Sequence, residues 1–132
     1  MKKLVSALTP VLLSVMRIVV GFLFMAHGTQ KLFAMPASAP RDPVELMSLA
    51  GAAGVLEMSG GLLILVGLYT RPVAFVLSGQ MAVAYFLSHA PQGFWPILNR
   101  GELAALYSFV FLYLSAAGGG SLGLDAWLRK VK

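Results

Sequence analysis

Few side chains in this 132-residue chain could do chemistry: His27, Lys31, Glu57, His89, Asn99 and Glu102, with Arg17 and Arg71 as further charges beside apolar runs. Each sits in or at the end of a long apolar stretch. An ionisable group at the centre of a bilayer costs roughly 2.5 to 3.5 kcal/mol on the insertion scale, so each asks for a partner or a role. Glu57 and His27 can accept and release protons, whereas Lys31, His89, Asn99 and Glu102 can hydrogen-bond a ligand. Cysteine is absent, which removes disulfides, thiolate nucleophiles, iron–sulfur ligation and cysteine zinc sites together. No HxxxH or HxxE spacing supports a metal site.

The elements that must position these residues are membrane helices. The chain is 58% hydrophobic and 11% charged, too little polar surface for a small water-soluble domain. Four apolar stretches predict an all-α integral membrane four-helix bundle, one domain with helices at about 10–33, 43–69, 72–89 and 100–117. Pro10 suits a helix start. Asp42, Pro43 and Glu45 read as the cap, first residue and capping-box acid of the second helix. Pro72, directly after Tyr69-Thr70-Arg71, implies a tight antiparallel turn, and the third helix ends near His89, before Pro91. Asn99-Arg100-Gly101-Glu102 repeats the cap-plus-acid pattern, Gly118-Gly119-Gly120 stops the fourth helix, and Asp125 caps a short amphipathic turn containing Trp127. Met1-Lys2-Lys3 imitates a signal peptide, but Arg17 interrupts the apolar run and no small-x-small site follows, so the first helix reads as retained.

With four spans both termini share a side, and the basic residues choose it. That side, with the turn between helices two and three, carries Lys2, Lys3, Arg71, Arg129, Lys130 and Lys132, against Lys31, Arg41 and Arg100 on the other. Both termini are therefore expected in the cytoplasm. The net charge of +5 belongs to this girdle rather than to a nucleic-acid surface, because the basic residues are scattered singly or at the ends. The partner it implies is the lipid bilayer. Arg17, read as a turn or two inside the first helix, is expected to snorkel to the interface, with Arg71 as another interfacial charge.

Helical spacing then sorts the polar residues by face. Glu57 shares a stripe with Gly54 and Gly61, beside Gly60, so it should face a neighbouring helix. His27 and Lys31, four apart, form a seam with Gly28 between them and Gly21 and Arg17 below. Ser78, Ala82, Tyr85 and His89 line one face of the third helix, with Gln80 nearly opposite His89. Because helices alternate in direction, His27, Lys31, Glu57, His89, Asn99 and Glu102 all fall in the outer half. Such a group beneath apolar side chains could hydrogen-bond quinone carbonyls and pass protons outward. It could equally be an electrostatic staple between helices. Two histidines at similar depth also permit bis-histidine haem, although nothing fixes their facing.

The order Arg17, Gly21, His27-Gly28, Lys31, then Glu57-x-x-Gly60-Gly61, Gly67-Leu68-Tyr69-Thr70-Arg71, Asn99-Arg100-Gly101-Glu102 and Ser121 to Asp125 resembles the DoxX family of small four-helix membrane proteins. The resemblance covers nearly the whole chain, and Arg17, His27, Lys31, Glu57, Arg71, Asn99 and Glu102 are the positions that match. It implies redox and quinone association, since the family includes subunits associated with thiosulfate:quinone oxidoreductase and a mycobacterial member linked to a membrane oxidoreductase complex. The expectation is a multi-pass protein of the bacterial inner membrane, at most a quinone-linked oxidoreductase subunit. It would hold no covalent cofactor and work with a protein partner in a redox complex or as a homo-oligomer. In this reading Glu57 and His27 handle protons while Lys31, His89, Asn99 and Glu102 bind the ligand. More distant relatives resemble assembly or cargo factors, so the alternative is a non-catalytic scaffold whose buried charges are structural. A solute transporter is a third reading, which four helices would satisfy only as an oligomer.

Overall fold

Proline at position 10 does not open the first helix. A computed structural model describes residues 1–37 and 42–131, and of residues 2 and 3 the backbone alone; α1 runs Lys2–Phe33 with Pro10 inside it. The missing N–H removes one rung of the ladder, at the Ser6 carbonyl, which an apolar helix tolerates. On either side the Thr9 hydroxyl donates to the Val5 carbonyl and the Ser14 hydroxyl to the Pro10 carbonyl, each at 2.8 Å. Arg41 and Lys132, two of the charges counted for orientation, lie outside the described residues.

The start expected for the second helix is also displaced. α2 is Leu49–Val66, capped by Ser48, whose hydroxyl accepts from the Gly51 N–H at 3.0 Å. Asp42 and Pro43 precede it in non-helical chain. The Val44 N–H donates to the Lys31 carbonyl at the end of α1 (2.9 Å), which holds the connection extended until the Glu45–Ser48 turn. At its other end α2 closes in a Schellman motif: the Leu68 and Gly67 N–H groups return to Leu63 and Ile64, and Gly67 has φ 71°. Glycine is favoured there because the left-handed region crowds a Cβ.

α3 begins at Thr70, two residues before Pro72, and runs to Ala84. A π-turn over Tyr85–His89 and a 3-10 turn over Ala90–Gln92 extend it three residues past the expected end. Pro91 has no N–H to continue an α-ladder, and the looser π-turn carries the chain into it. The fourth helix, expected over about 100–117, is α5 (Glu102–Ala117); a single turn, α4 (Pro96–Asn99), precedes it, separated by Arg100 at φ 59°. α6 is Leu124–Val131. Among the described residues there is no strand. Leu4–Phe33, Leu49–Val66 and Thr70–Gln92 are each long and apolar enough to cross a membrane, whereas Glu102–Ala117 is apolar but shorter.

Residues Met1–Thr70 with Gly119–Lys132 form one compact unit and Arg71–Gly118 a second. In the first, α1 buries Ser14, Arg17, Gly21, Phe24 and Gly28, an alternating three-and-four spacing that marks a single helix face. α2 answers with Gly54, Glu57, Gly61 and Ile64, so the stripe expected around Glu57 is buried as its period implies. The two helices are antiparallel and nearly backbone to backbone: Gly21 lies on Gly61 and Leu65, Gly28 on Gly54 and Met58. Outward, α1 exposes Leu8, Leu12, Val15, Val19 and Phe22. An apolar exterior over a polar-dotted interior suits hydrocarbon rather than water.

In the second unit α3 and α5 are held in antiparallel register by a reciprocal pair. The Ser78 hydroxyl donates to the Ser108 carbonyl (2.8 Å), and the Ser108 hydroxyl to the Ser78 carbonyl (3.1 Å). Leu77, Met81, Tyr107, Phe111 and Leu114 are buried, with the Tyr107 and Phe111 rings stacked 5.8 Å apart.

Candidate functional site

The close approach of α1 and α2 joins two of the expected site residues. Lys31 Nζ donates to Glu57 Oε1 at 2.5 Å, with Glu57 only 2% exposed and Lys31 38%. Gly54 makes room for this, since a Cβ there would crowd Lys31 Cβ at 3.2 Å and the Leu32 side chain at 3.1 Å. A buried carboxylate needs such a cation, because leaving it alone in a low dielectric costs several kcal/mol. His27, one turn before Lys31, is exposed. The pair thus has one member sealed between helices and one reaching the surface, a geometry that can exchange a proton with the outside or hold two helices in register.

The deepest charge is elsewhere. Arg17 was expected to snorkel, but α1 starts at Lys2, which sets Arg17 about four turns into the helix. Its side chain is 1% exposed. Nε donates to the Gly119 carbonyl at 2.9 Å, Nη1 to Ile64 at 2.5 Å and Leu65 at 2.6 Å, and Nη2 to Leu122. The guanidinium therefore sits on the C-terminal carbonyls of α2, where the helix dipole is negative, and gathers the 119–122 loop onto them. Ser14 fastens the same loop, its hydroxyl accepting from the Leu122 N–H at 3.0 Å.

Asp125 completes this knot, and it does not cap its own helix as expected. Its N–H donates to the Gly67 carbonyl, while its carboxylate accepts from the Tyr69 and Thr70 N–H groups, both at 2.8 Å. It caps α3 from 55 residues away. Burial alone would raise its pKa, but hydrogen bonds from Thr70 and Tyr69 and the charge of Arg129 outweigh that and hold it below the ordinary carboxylate value. A depressed folded-state pKa gives stability that is present above about pH 4 and lost as acid protonates the folded carboxyl. Thermal melts in detergent should accordingly weaken below about pH 4. The Asp125→Asn variant should be less stable at neutral pH and lack that acid limb; an unchanged limb would assign it to another carboxyl.

The remaining expected residues lie in the second unit. Asn99 is fully buried, with Nδ2 donating to the Gly93 carbonyl (2.8 Å) and Oδ1 accepting from the Gly101 N–H (2.8 Å). It ties the 93–101 loop instead of capping α5, whose N-cap is Gly101. His89 Nδ1 is 3.0 Å from the Asn99 carbonyl, which only accepts, so Nδ1 carries the proton. Glu102 is exposed in the first turn of α5, where a negative charge favours the helix. Arg71 is exposed in the first turn of α3, against Gly118. Of the six residues expected in the outer half, Lys31 and Glu57 meet in the first unit with His27 one turn away on α1, and His89 and Asn99 meet in the second. Among the described residues no three His, Asp or Glu side chains gather closely enough to hold a metal ion.

Comparison with known proteins gives these residues a context. The family model described as DoxX matches residues 12–90, the stretch holding Arg17, Lys31 and Glu57. A Haemophilus influenzae protein described as uncharacterised is 46% identical over 125 residues, 88% of this chain and 90% of its own length. A Mycobacterium tuberculosis protein described as an uncharacterised membrane protein is 31% identical over 132 residues, 86% of this chain and 79% of its own. No solved structure matches. With several membrane-length helices in the fold and the family model covering more than half of the residues, the chain belongs to the DoxX family and is a multi-pass bacterial membrane protein.

Proposed function

We propose that the protein is a four-span scaffold of the bacterial cytoplasmic membrane, both termini cytoplasmic, which seats or assembles other membrane proteins and whose buried charges hold its own helices. The carrying observation is where those charges go. Arg17, the most deeply buried of them, donates to four backbone carbonyls from two separate segments of its own chain. Four of its five N–H donors are spent on the chain's own backbone, which favours a structural role over ligand binding. The exposed apolar faces of α1, α2 and α5 supply the surface on which membrane partners would pack. The fourth span is α5, 16 residues long and so about 24 Å, and the six-to-three distribution of basic residues supports the orientation.

A quinone-linked redox subunit is the second reading, favoured by the Lys31–Glu57 pair. Glu57 would store a proton, Lys31 would pass it to the surface and His27, one turn away, would receive it. Glu57→Gln separates the two. For a scaffold, the variant loses about 1–2 kcal/mol of stability in detergent, as expected for a charge-assisted contact between helices. Its binding of added ubiquinone or menaquinone is then no different from that of the parent protein. A saturable quinone affinity in the parent that weakens in Glu57→Gln would overturn the scaffold reading and install the redox one.

A further inference from the structure

The eight-residue helix α6 is amphipathic, and it is mounted with its apolar side outward. Leu124, Trp127, Leu128 and Val131 follow the i, i+3, i+4, i+7 spacing of one helix face, and all four are exposed, Trp127 by 59%. The residue buried against the protein is Ala126, at 9% exposure, which lies on roughly the opposite side of the helix. A soluble protein would turn α6 over. Arg129 and Lys130 are exposed and fall on either side of Ala126, on the half of the helix away from the apolar face.

Its mounting fixes its level. The Asp125 N–H is bonded to the Gly67 carbonyl and the Asp125 carboxylate to Tyr69 and Thr70. Gly67 is the first residue beyond α2, an 18-residue helix of membrane-crossing length, about 27 Å against a hydrocarbon thickness near 30 Å. The first turn of α6 is thereby held where α2 leaves the hydrocarbon. An outward apolar face with exposed basic residues on the other half of the helix, at that depth, matches a helix lying in the headgroup boundary.

We propose that α6 is an in-plane membrane helix that seats on anionic lipid. Leu124, Trp127, Leu128 and Val131 enter the upper acyl region while Arg129 and Lys130 meet lipid phosphates. Through Asp125 and the 119–122 loop, this seating bears on the same backbone groups that receive Arg17, so the lipid surface braces the junction of α1, α2 and the start of α3.

The test uses the full chain carrying Trp95→Phe, which leaves Trp127 as the sole tryptophan. It is reconstituted in phosphatidylcholine vesicles with and without phosphatidylglycerol, at several protein-to-lipid ratios. Trp127 emission should be blue-shifted, shielded from acrylamide and quenched by lipid brominated high on the acyl chain, and more so with phosphatidylglycerol. Changing Arg129 and Lys130 together to glutamine should abolish the phosphatidylglycerol increment, each basic residue being worth roughly five-fold in local partition. Quenching in pure phosphatidylcholine should persist in that variant. Solvent-like, acrylamide-accessible emission in both lipids would overturn the proposal. Indifference to phosphatidylglycerol would overturn its anionic part, and shielding found only at high protein-to-lipid ratio would assign the face to a second copy of the chain.

Discussion

Arg17→Ala is expected to lower the unfolding free energy in detergent by roughly 3 to 5 kcal/mol, the range for leaving several buried polar partners unsatisfied. Truncation strips donors from the carbonyls of Ile64, Leu65, Gly119 and Leu122 at once. Two of them are last-turn carbonyls of α2, whose negative dipole end also loses its compensating charge. Arg17→Lys should recover only part of the loss, because a single ammonium cannot serve carbonyls spread around a planar five-donor fork. A second readout separates this knot from general destabilisation. Gly119 and Leu122 precede α6, so release of their carbonyls should speed tryptic cleavage at Arg129 and Lys130 well below the melting temperature. Parent-like melting and cleavage in Arg17→Ala would show that the loop and α2 hold without it.

The residues of this knot explain what could be read from the sequence and what could not. The Gly54–Glu57–Gly61 stripe was legible because helical period alone decides which residues share a face. The membrane character was legible from composition. Helix ends were less so, since distant groups set them: the Val44 N–H is captured by Lys31, and α3 is capped by Asp125 rather than by a neighbour. Arg17 was expected to snorkel to the interface, whereas the end of α2 and the 119–122 loop close over it and take its donors. Its partners lie 47 to 105 residues away, and a carbonyl acceptor carries no side-chain signature. Asn99 and Glu102 spelled a helix cap, but Arg100 in the left-handed region breaks the chain between them and leaves Asn99 to the loop.

The same contrast between local pattern and tertiary approach makes glycine replacements the sharpest test of the α1–α2 interface. A Cβ added at Gly28 would lie 2.7 Å from Met58 Cα and 2.8 Å from the Gly54 carbonyl oxygen. Those are backbone atoms, which cannot swing aside as a side chain can. Gly28→Ala must therefore push the helices apart, at a cost of about 1–3 kcal/mol for overpacking, and Gly28→Val should cost more. The helix-propensity gain of about 1 kcal/mol for alanine over glycine opposes this without cancelling it. Gly79 on α3 is the control: a Cβ there meets nothing within 4 Å, so Gly79→Ala should be neutral or stabilising by up to about 1 kcal/mol. Separation of α1 from α2 also draws Lys31 from Glu57, three residues along each helix. Gly28→Ala combined with Lys31→Met should then cost less than the sum of the two alone, because the first change has already weakened the contact that the second removes. Strict additivity in that cycle, measured by thermal melts in detergent, would mean that the ion pair forms independently of the glycine contact and that the tight crossing is not what brings Glu57 its partner.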